Sequence, residues 1–208
     1  MVITGGDCPD NQKLQELNAR CDCCVAADSG IQSALHASIR PDYLVGDMDS
    51  ISNTAVLNDF PEHAVHTFPK DKDFTDTELA LKIAREKGAE SIIIAGGGGG
   101  RLDHELAVFF LFMKEYPPSE WHTANDTAIL VEGNFSIQTE PGKRLSFFPL
   151  SDQTRISASD GLKWPLDGLD WSFGDHGISN VALREKVEIQ LERGRLLLLF
   201  DSKKKDRP

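Results

Sequence analysis

Two short segments of this chain carry aspartates at spacings that could hold a cation: Gly46-Asp47-Met48-Asp49-Ser50 and Asp71-Lys72-Asp73-Phe74-Thr75-Asp76. Carboxylates packed closely repel one another, and their ionised forms are costly unless a cation intervenes. Their oxygens are hard ligands suited to Mg²⁺, which keeps several waters and bridges to substrate phosphates. The chemistry expected is metal-assisted transfer from a nucleotide, the cation neutralising the triphosphate and holding it in line for attack. Met48 separates Asp47 from Asp49, so an extended backbone points the two side chains apart. A tight turn helped by Gly46 lets them converge. Asp and Ser also mark ordinary loops and helix caps, and that competing reading stays open for Asp71 and Asp73.

A third segment is Gly96-Gly97-Gly98-Gly99-Gly100-Arg101-Leu102-Asp103-His104, which follows Ile92-Ile93-Ile94-Ala95. It reads as strand, glycine turn, helix. Glycines let backbone N–H groups approach phosphates, and a helix N-terminus favours anions. The run matches neither the dinucleotide fingerprint nor the Walker loop, since the lysine and Ser/Thr are missing. Arg101 suits phosphate oxygens, which its planar fork contacts in two places. Asp103 is expected to cap the helix that carries Leu106, Val108, Phe109, Phe110 and Phe112, and His104 to meet a phosphate, a base or a carboxylate.

The elements that must position these groups follow from hydrophobic patterning. Val2 to Thr4, Cys23 to Ala27, Tyr43 to Val45, Ala64 to Phe68 and Ser91 to Ala95 read as strands, with helical segments over Asn11 to Arg20 and Ile31 to Ile39. The alternation predicts an α/β domain with a mostly parallel sheet. Ligands of such sheets sit where strands end, and there fall Asp28, then Asp47 and Asp49, then Asp71, Asp73 and Asp76. The helix after Thr75 is well signposted. Thr75 as N-cap and Glu78 at N3 make a capping box, Phe74 and Leu79 a hydrophobic staple, and Gly88 the C-terminal stop. Asp76 is thereby placed in the first helical turn.

Beyond about residues 125–134 no helix is expected. Phe135 to Thr139, Arg144 to Phe148 and Arg155 to Ala158 read as strands, and Val187 to Leu191 and Leu196 to Phe200 as a hairpin turning at Arg193-Gly194. The expectation is an α/β domain over residues 1–130 and an antiparallel β-sandwich over 131–208.

Composition bounds the partners. The net charge is −11, from 33 acidic and 22 basic residues in 208. A chain this acidic is a poor match for a nucleic-acid groove. The Lys203-Lys204-Lys205 tail reads as a solvated end. No stretch approaches a membrane span, and the opening Met1-Val2-Ile3-Thr4-Gly5-Gly6 reads as a strand rather than a signal peptide, so a cytoplasmic protein is expected. Cys8, Cys21, Cys23 and Cys24 lack zinc-site spacing and are read as reduced thiols.

Taken together, the Gly46–Ser50, Asp71–Glu78 and Gly99–His104 segments, in this order and at these intervals, resemble the thiamin pyrophosphokinase family. Gly161-Leu162-Lys163-Trp164-Pro165-Leu166 and Gly177-Ile178-Ser179-Asn180 are similar to that family's thiamin-contacting segments. The resemblance implies an α/β domain and a β-sandwich paired as a homodimer, with the sandwich of a second subunit completing the pocket. It implies Mg²⁺-dependent transfer of pyrophosphate from ATP to the thiamin hydroxyl, giving thiamin diphosphate and AMP. By the same resemblance Asp47, Asp49 and Asp76 hold Mg²⁺ and the triphosphate, and Asp73 and Thr75 shape that pocket. Lys72, Gly99, Gly100, Arg101 and His104 face phosphate or nucleotide, with Asp103 positioning its neighbours, while Trp164, Ser179 and Asn180 line the thiamin site. A flat cationic thiazolium suits an aromatic face; without the resemblance Trp164 reads equally as sandwich core. Two departures from the family pattern stand out, the five-glycine run and Val108 in place of a common asparagine. The alternatives are a transferase with another acceptor on the same scaffold and a non-catalytic nucleotide or thiamin sensor.

Overall fold

Val2-Ile3 and Ile92-Ile93-Ile94-Ala95 are apolar at every position, the pattern of strands covered on both faces. A computed structural model describes residues 1–48 and 54–202. Asp49, Ser50 and the Lys203–Lys205 tail lie outside the described residues. Close contacts divide the chain into two units, Met1–Ala124 and Asn125–Pro208.

The first unit is built on six parallel strands: β1 (Val2–Ile3), β2 (Val25–Ala27), β3 (Tyr43–Gly46), β4 (Val65–Thr67), β5 (Ile93–Ala95) and β6 (Glu120–His122). Their order is β6-β5-β1-β2-β3-β4. Successive side chains point to opposite faces. Val2, Val25, Val45, Ile92 and Ile94 pack with α3 (Asp76–Glu86) and α4 (Leu102–Leu111). Ile3, Cys24, Ile93 and Ala95 pack with α1 (Asn11–Asn18) and with Ala34 of α2 (Gly30–His36). The strand order reverses between β1 and β5, and all the strands end at the same edge there.

Helix α3 forms as its sequence dictates. Thr75 Oγ1 accepts from the Glu78 N–H at 3.1 Å, and Glu78 Oε2 accepts from the Thr75 N–H at 3.3 Å. Leu79, Ala80, Ile83 and Ala84 are buried. At the far end Gly88 takes φ +92°, the Gly88 N–H donates to Arg85 O and the Ala89 N–H to Ala84 O, a Schellman stop. Phe74 stays 56% exposed, so the staple with Leu79 is only partly closed.

The second unit is a β-sandwich. One sheet has the order β12-β9-β14-β7 and the other β11-β10-β13-β8. The strands are β7 (Asp126–Val131), β8 (Asn134–Gln138), β9 (Arg144–Pro149), β10 (Thr154–Asp160), β11 (Leu169–Trp171), β12 (Gly177–Val181), β13 (Lys186–Arg193) and β14 (Leu196–Asp201). The expected hairpin is not formed. Strand β13 pairs with β8 and β10, whereas β14 pairs with β7 and β9. Gly194 at φ +86° turns the chain across the sandwich instead. Val187, Ile189 and Leu191 then meet Leu196 and Leu198 in one core. Alternating apolar residues on both strands are buried more fully facing each other across a core than side by side in one sheet.

Candidate active site at the strand ends of the first unit

The carboxyl ends of the parallel strands open into a cleft of about 400 Å³. It lies where the strand order reverses, the usual ligand position in such sheets. Thr4, Gly5 and Gly6 reach it from β1, Asp28 and Ser29 from β2, Asp47 from β3 and Lys70 and Lys72 from the loop after β4. Thr75, Asp76 and Thr77 open α3 into it, and Gly97, Gly98, Gly100, Arg101 and His104 contribute the turn after β5 and the start of α4.

The backbone at these ends is bent sharply. Asp28 has φ +50° and Met48 φ +62°, with Gly46 at φ +150°. The positive φ at Met48 bends the chain directly after Asp47. The glycine run is wedged against the first loop: the Gly97 N–H donates to Gly5 O and the Asp7 N–H to Gly98 O, both at 2.7 Å. The Trp121 Nε1–H donates to Gly96 O at 2.7 Å and holds the turn from behind. A Cβ on Gly99, which sits at φ +66°, falls 1.8 Å from Asp7 Oδ2, so the run's lack of side chains is a packing requirement there.

Of the predicted site residues, Asp47, Lys72, Thr75, Asp76, Gly100, Arg101 and His104 line this one cleft. Asp73 is exposed and Gly99 packs on Asp7, and neither lines it. Asp103 does not cap α4. The N-cap is Arg101, without a side-chain cap, and Asp103 lies inside the first turn. Its carboxylate instead accepts from Arg101 Nε at 3.1 Å and Arg101 Nη2 at 2.6 Å. Those bonds raise the Arg101 pKa and hold Asp103 below the usual carboxylate range. The guanidinium planes two hydrogen bonds onto a carboxylate, the geometry it would use on a phosphate.

Thr4, Gly5, Gly6, Ser29, Lys70 and Thr77 also line the cleft without being among the predicted site residues. Gly5-Gly6 follows a strand, the signal that marks the other loops. No sequence signal marks the buried Thr4–Thr77 hydroxyl pair, 2.8 Å apart, because its members are 73 residues apart.

Among the described residues no three His, Cys, Asp or Glu side chains form a metal-binding group. Mg²⁺ does not need one, since one or two carboxylates, waters and phosphate oxygens complete its shell. Asp76 Oδ1 is buried and faces the Lys72 ammonium at 3.0 Å, a position suited to a cation. Asp47 and Asp28 share its cleft. The donor set therefore suits Mg²⁺ held together with a triphosphate.

In the second unit, Trp164 is 52% exposed, so it is not sandwich core. Lys163 Nζ stands 4.5 Å from its ring centre. Asn180 is buried and holds the Trp164 backbone from both sides. Its Nδ2 donates to Trp164 O at 2.6 Å, and its Oδ1 accepts from the Trp164 N–H at 3.2 Å. Ser179 is exposed at φ +60° on an irregular stretch of β12, its N–H donating to Ser146 Oγ at 3.1 Å. Trp164 and Asn180 are thus brought together, with Asn180 spent on placing the loop.

The four cysteines are free thiols, and burial pushes Cys24 up to about 12.

The family model described as "Thiamin pyrophosphokinase, catalytic domain" matches residues 14–120. The model described as "Thiamin pyrophosphokinase, vitamin B1 binding domain" matches residues 134–196. A Bacillus subtilis protein named thiamine pyrophosphokinase is 29% identical over 182 residues, spanning 84% of this chain and 85% of that protein. A thiamin pyrophosphokinase family protein from Enterococcus faecalis shares the fold with a TM-score of 0.78 at 24% identity over 98% of both chains. The Bacillus subtilis thiamine pyrophosphokinase structure does so with a TM-score of 0.76 at 23% identity, over 98% of this chain and 99% of that one. The catalytic-domain match alone spans more than half of the 208 residues, and the chain belongs to the thiamin pyrophosphokinase family.

Proposed function

We propose that this chain transfers the pyrophosphoryl group of ATP to the hydroxyl of thiamin, with Mg²⁺, in the cleft of its first unit. Family membership supplies the reaction. The observation that carries the site is the meeting of carboxylates and cationic groups in one cleft at the reversal of the sheet: Asp28, Asp47 and Asp76 with Lys70, Lys72 and Arg101. Carboxylates address the metal, and cations and glycine N–H groups address the triphosphate.

In the reaction the thiamin hydroxyl oxygen forms a bond to the β-phosphorus, the bond from that phosphorus to the α–β bridging oxygen breaks, and AMP leaves. Asp47 and Asp76 would hold Mg²⁺, with Asp49 as the third ligand that the family resemblance implies, and the ion would supply charge neutralisation on the phosphates. Arg101 and His104 at the start of α4, with Lys72 ahead of α3, bind phosphate or nucleotide. The hydroxyl proton passes to a carboxylate. Asp76 lines the cleft and Asp73 does not, so Asp76 is the carboxylate placed to take it. Positioning and charge neutralisation carry most of the acceleration. Trp164 offers the thiamin ring an aromatic face, and Asn180 keeps it in place.

The protein is a cytoplasmic homodimer in this reading. Leu102, Leu106, Phe110 and Met113 make an exposed apolar stripe along and just beyond α4, at spacings of four, four and three. A stripe of that kind supports burial against a second copy. No helix of the described residues is long and apolar enough to cross a membrane.

The test is product analysis with ATP, Mg²⁺ and thiamin. AMP and thiamin diphosphate formed in equal amounts is the expected result. ADP in place of AMP contradicts pyrophosphoryl transfer. Binding of ATP without any turnover, in the presence of thiamin, favours a sensor.

A further inference from the structure

Lys72 and Asp76 meet inside the cleft, with Lys72 Nζ 3.0 Å from Asp76 Oδ1 and their side chains only 13% and 26% exposed. At that distance the ammonium is the direct charge partner of a buried carboxylate oxygen. The ammonium therefore acts on that oxygen as a point charge, where a hard cation would act.

The two partners differ in freedom. Asp76 opens α3 inside the Thr75–Glu78 capping box, and its neighbour Thr77 is hydrogen-bonded to Thr4 across the cleft floor. Lys72 precedes the helix and carries its charge on a flexible four-carbon stem. Asp28 and Asp47 line the same cleft, which therefore carries further carboxylates beside Asp76.

We infer that Lys72 is an exchangeable counter-ion, which neutralises Asp76 in the nucleotide-free cleft and moves its charge onto the triphosphate when the metal–nucleotide complex binds. The inference rests on Asp76 being a metal-facing carboxylate. Two consequences follow from one side chain. Lys72 competes with a free divalent ion for Asp76, so the cleft binds free metal weakly. Lys72 also pairs with polyphosphate oxygens, so metal and nucleotide are favoured when they arrive together. Lys72 is a selector for the complex over the bare ion.

The experiment measures Mn²⁺ binding without nucleotide, by the paramagnetic resonance of the free ion, in the unchanged protein and in Lys72→Met, Lys72→Gln and Lys72→Arg. Calorimetry with Mg²⁺ and a non-hydrolysable ATP analogue is run on the same proteins, with melting temperature as the check on folding. Removing the charge in Lys72→Met or Lys72→Gln is expected to tighten free Mn²⁺ binding about tenfold and weaken the metal–analogue complex about tenfold, the scale of one partly exposed ion pair. Lys72→Arg stays close to the unchanged protein in both. A purely structural lysine moves both affinities in the same direction, and that result overturns the inference. So does equal Mn²⁺ affinity in the folded neutral variants and the unchanged protein. Failure of every protein to bind Mn²⁺, with and without the analogue, overturns the metal reading of Asp76 and this inference with it.

Discussion

At the scale of single residues, the cleft sets the carboxylates Asp47 and Asp76 beside the cationic Lys72 and Arg101, all four legible in the sequence from type and spacing. Asp103 carries the same chemistry, but α4 begins at Leu102, so its carboxylate lies inside the first turn and pairs with the Arg101 guanidinium instead of capping the helix. Asn180 shows the same limit. It stood out for its segment, but its buried amide serves the Trp164 backbone, and Asn180→Ala is expected to cost about 1–3 kcal/mol in denaturant unfolding by leaving buried groups unpaired. Loss of less than a few tenths would contradict that account. Glu120 supplies a pH effect that no motif announced. Burial pushes its pKa up, but hydrogen bonds from His122 and Arg20 outweigh burial and hold it at about 2, below the ordinary 4.5. A depressed carboxylate pKa stabilises the fold above the unfolded value, and the stability is lost as pH falls from there through the folded value. Thermal melting between pH 4.5 and pH 2 should therefore fall less steeply for Glu120→Gln than for the unchanged protein, the two pH limits being the ordinary and folded values.

At the scale of elements, local signals succeeded where they were complete within one turn. The Thr75–Glu78 box, the buried stripe and the Gly88 stop all lie within fourteen residues of α3 and its flanks, and all formed. Thr75→Ala should lower stability by about 1 kcal/mol, the usual cost of a lost N-cap, read as a drop in melting temperature. It should also lower activity beyond that loss, because the cap fixes the turn that carries Asp76. Signals shared between elements misled. Arg193-Gly194 between two alternating strands looks the same in sequence whether the chain folds back in one sheet or crosses to the other. Only the partners of β13 and β14, which come from far along the chain, separate the two. Short β6 and β11 gave too little pattern to be recognised at all.

At the scale of the molecule, alternation of strands and helices gave the parallel α/β layer, and the run of strands without helices gave the sandwich. What alternation does not specify is strand order. The reversal between β1 and β5, which puts Gly5 beside Gly97, comes from the pairing of strands about ninety residues apart, and for that reason the β1 side of the cleft went unread. Dimerisation belongs to this scale as well. Sedimentation should give twice the 22.9 kDa chain mass, and Leu106→Glu with Phe110→Glu should reduce it to a single chain. A monomer in the unchanged protein contradicts the homodimer. The central claim is that the carboxylates of the first unit's cleft drive pyrophosphoryl transfer, and it is met most directly by single-turnover AMP release from ATP and thiamin in Asp76→Asn. A fall of about a hundredfold or more, the scale of losing one charge-stabilising group, is expected with the melting temperature preserved. AMP release at the unchanged rate in that folded variant would contradict the account.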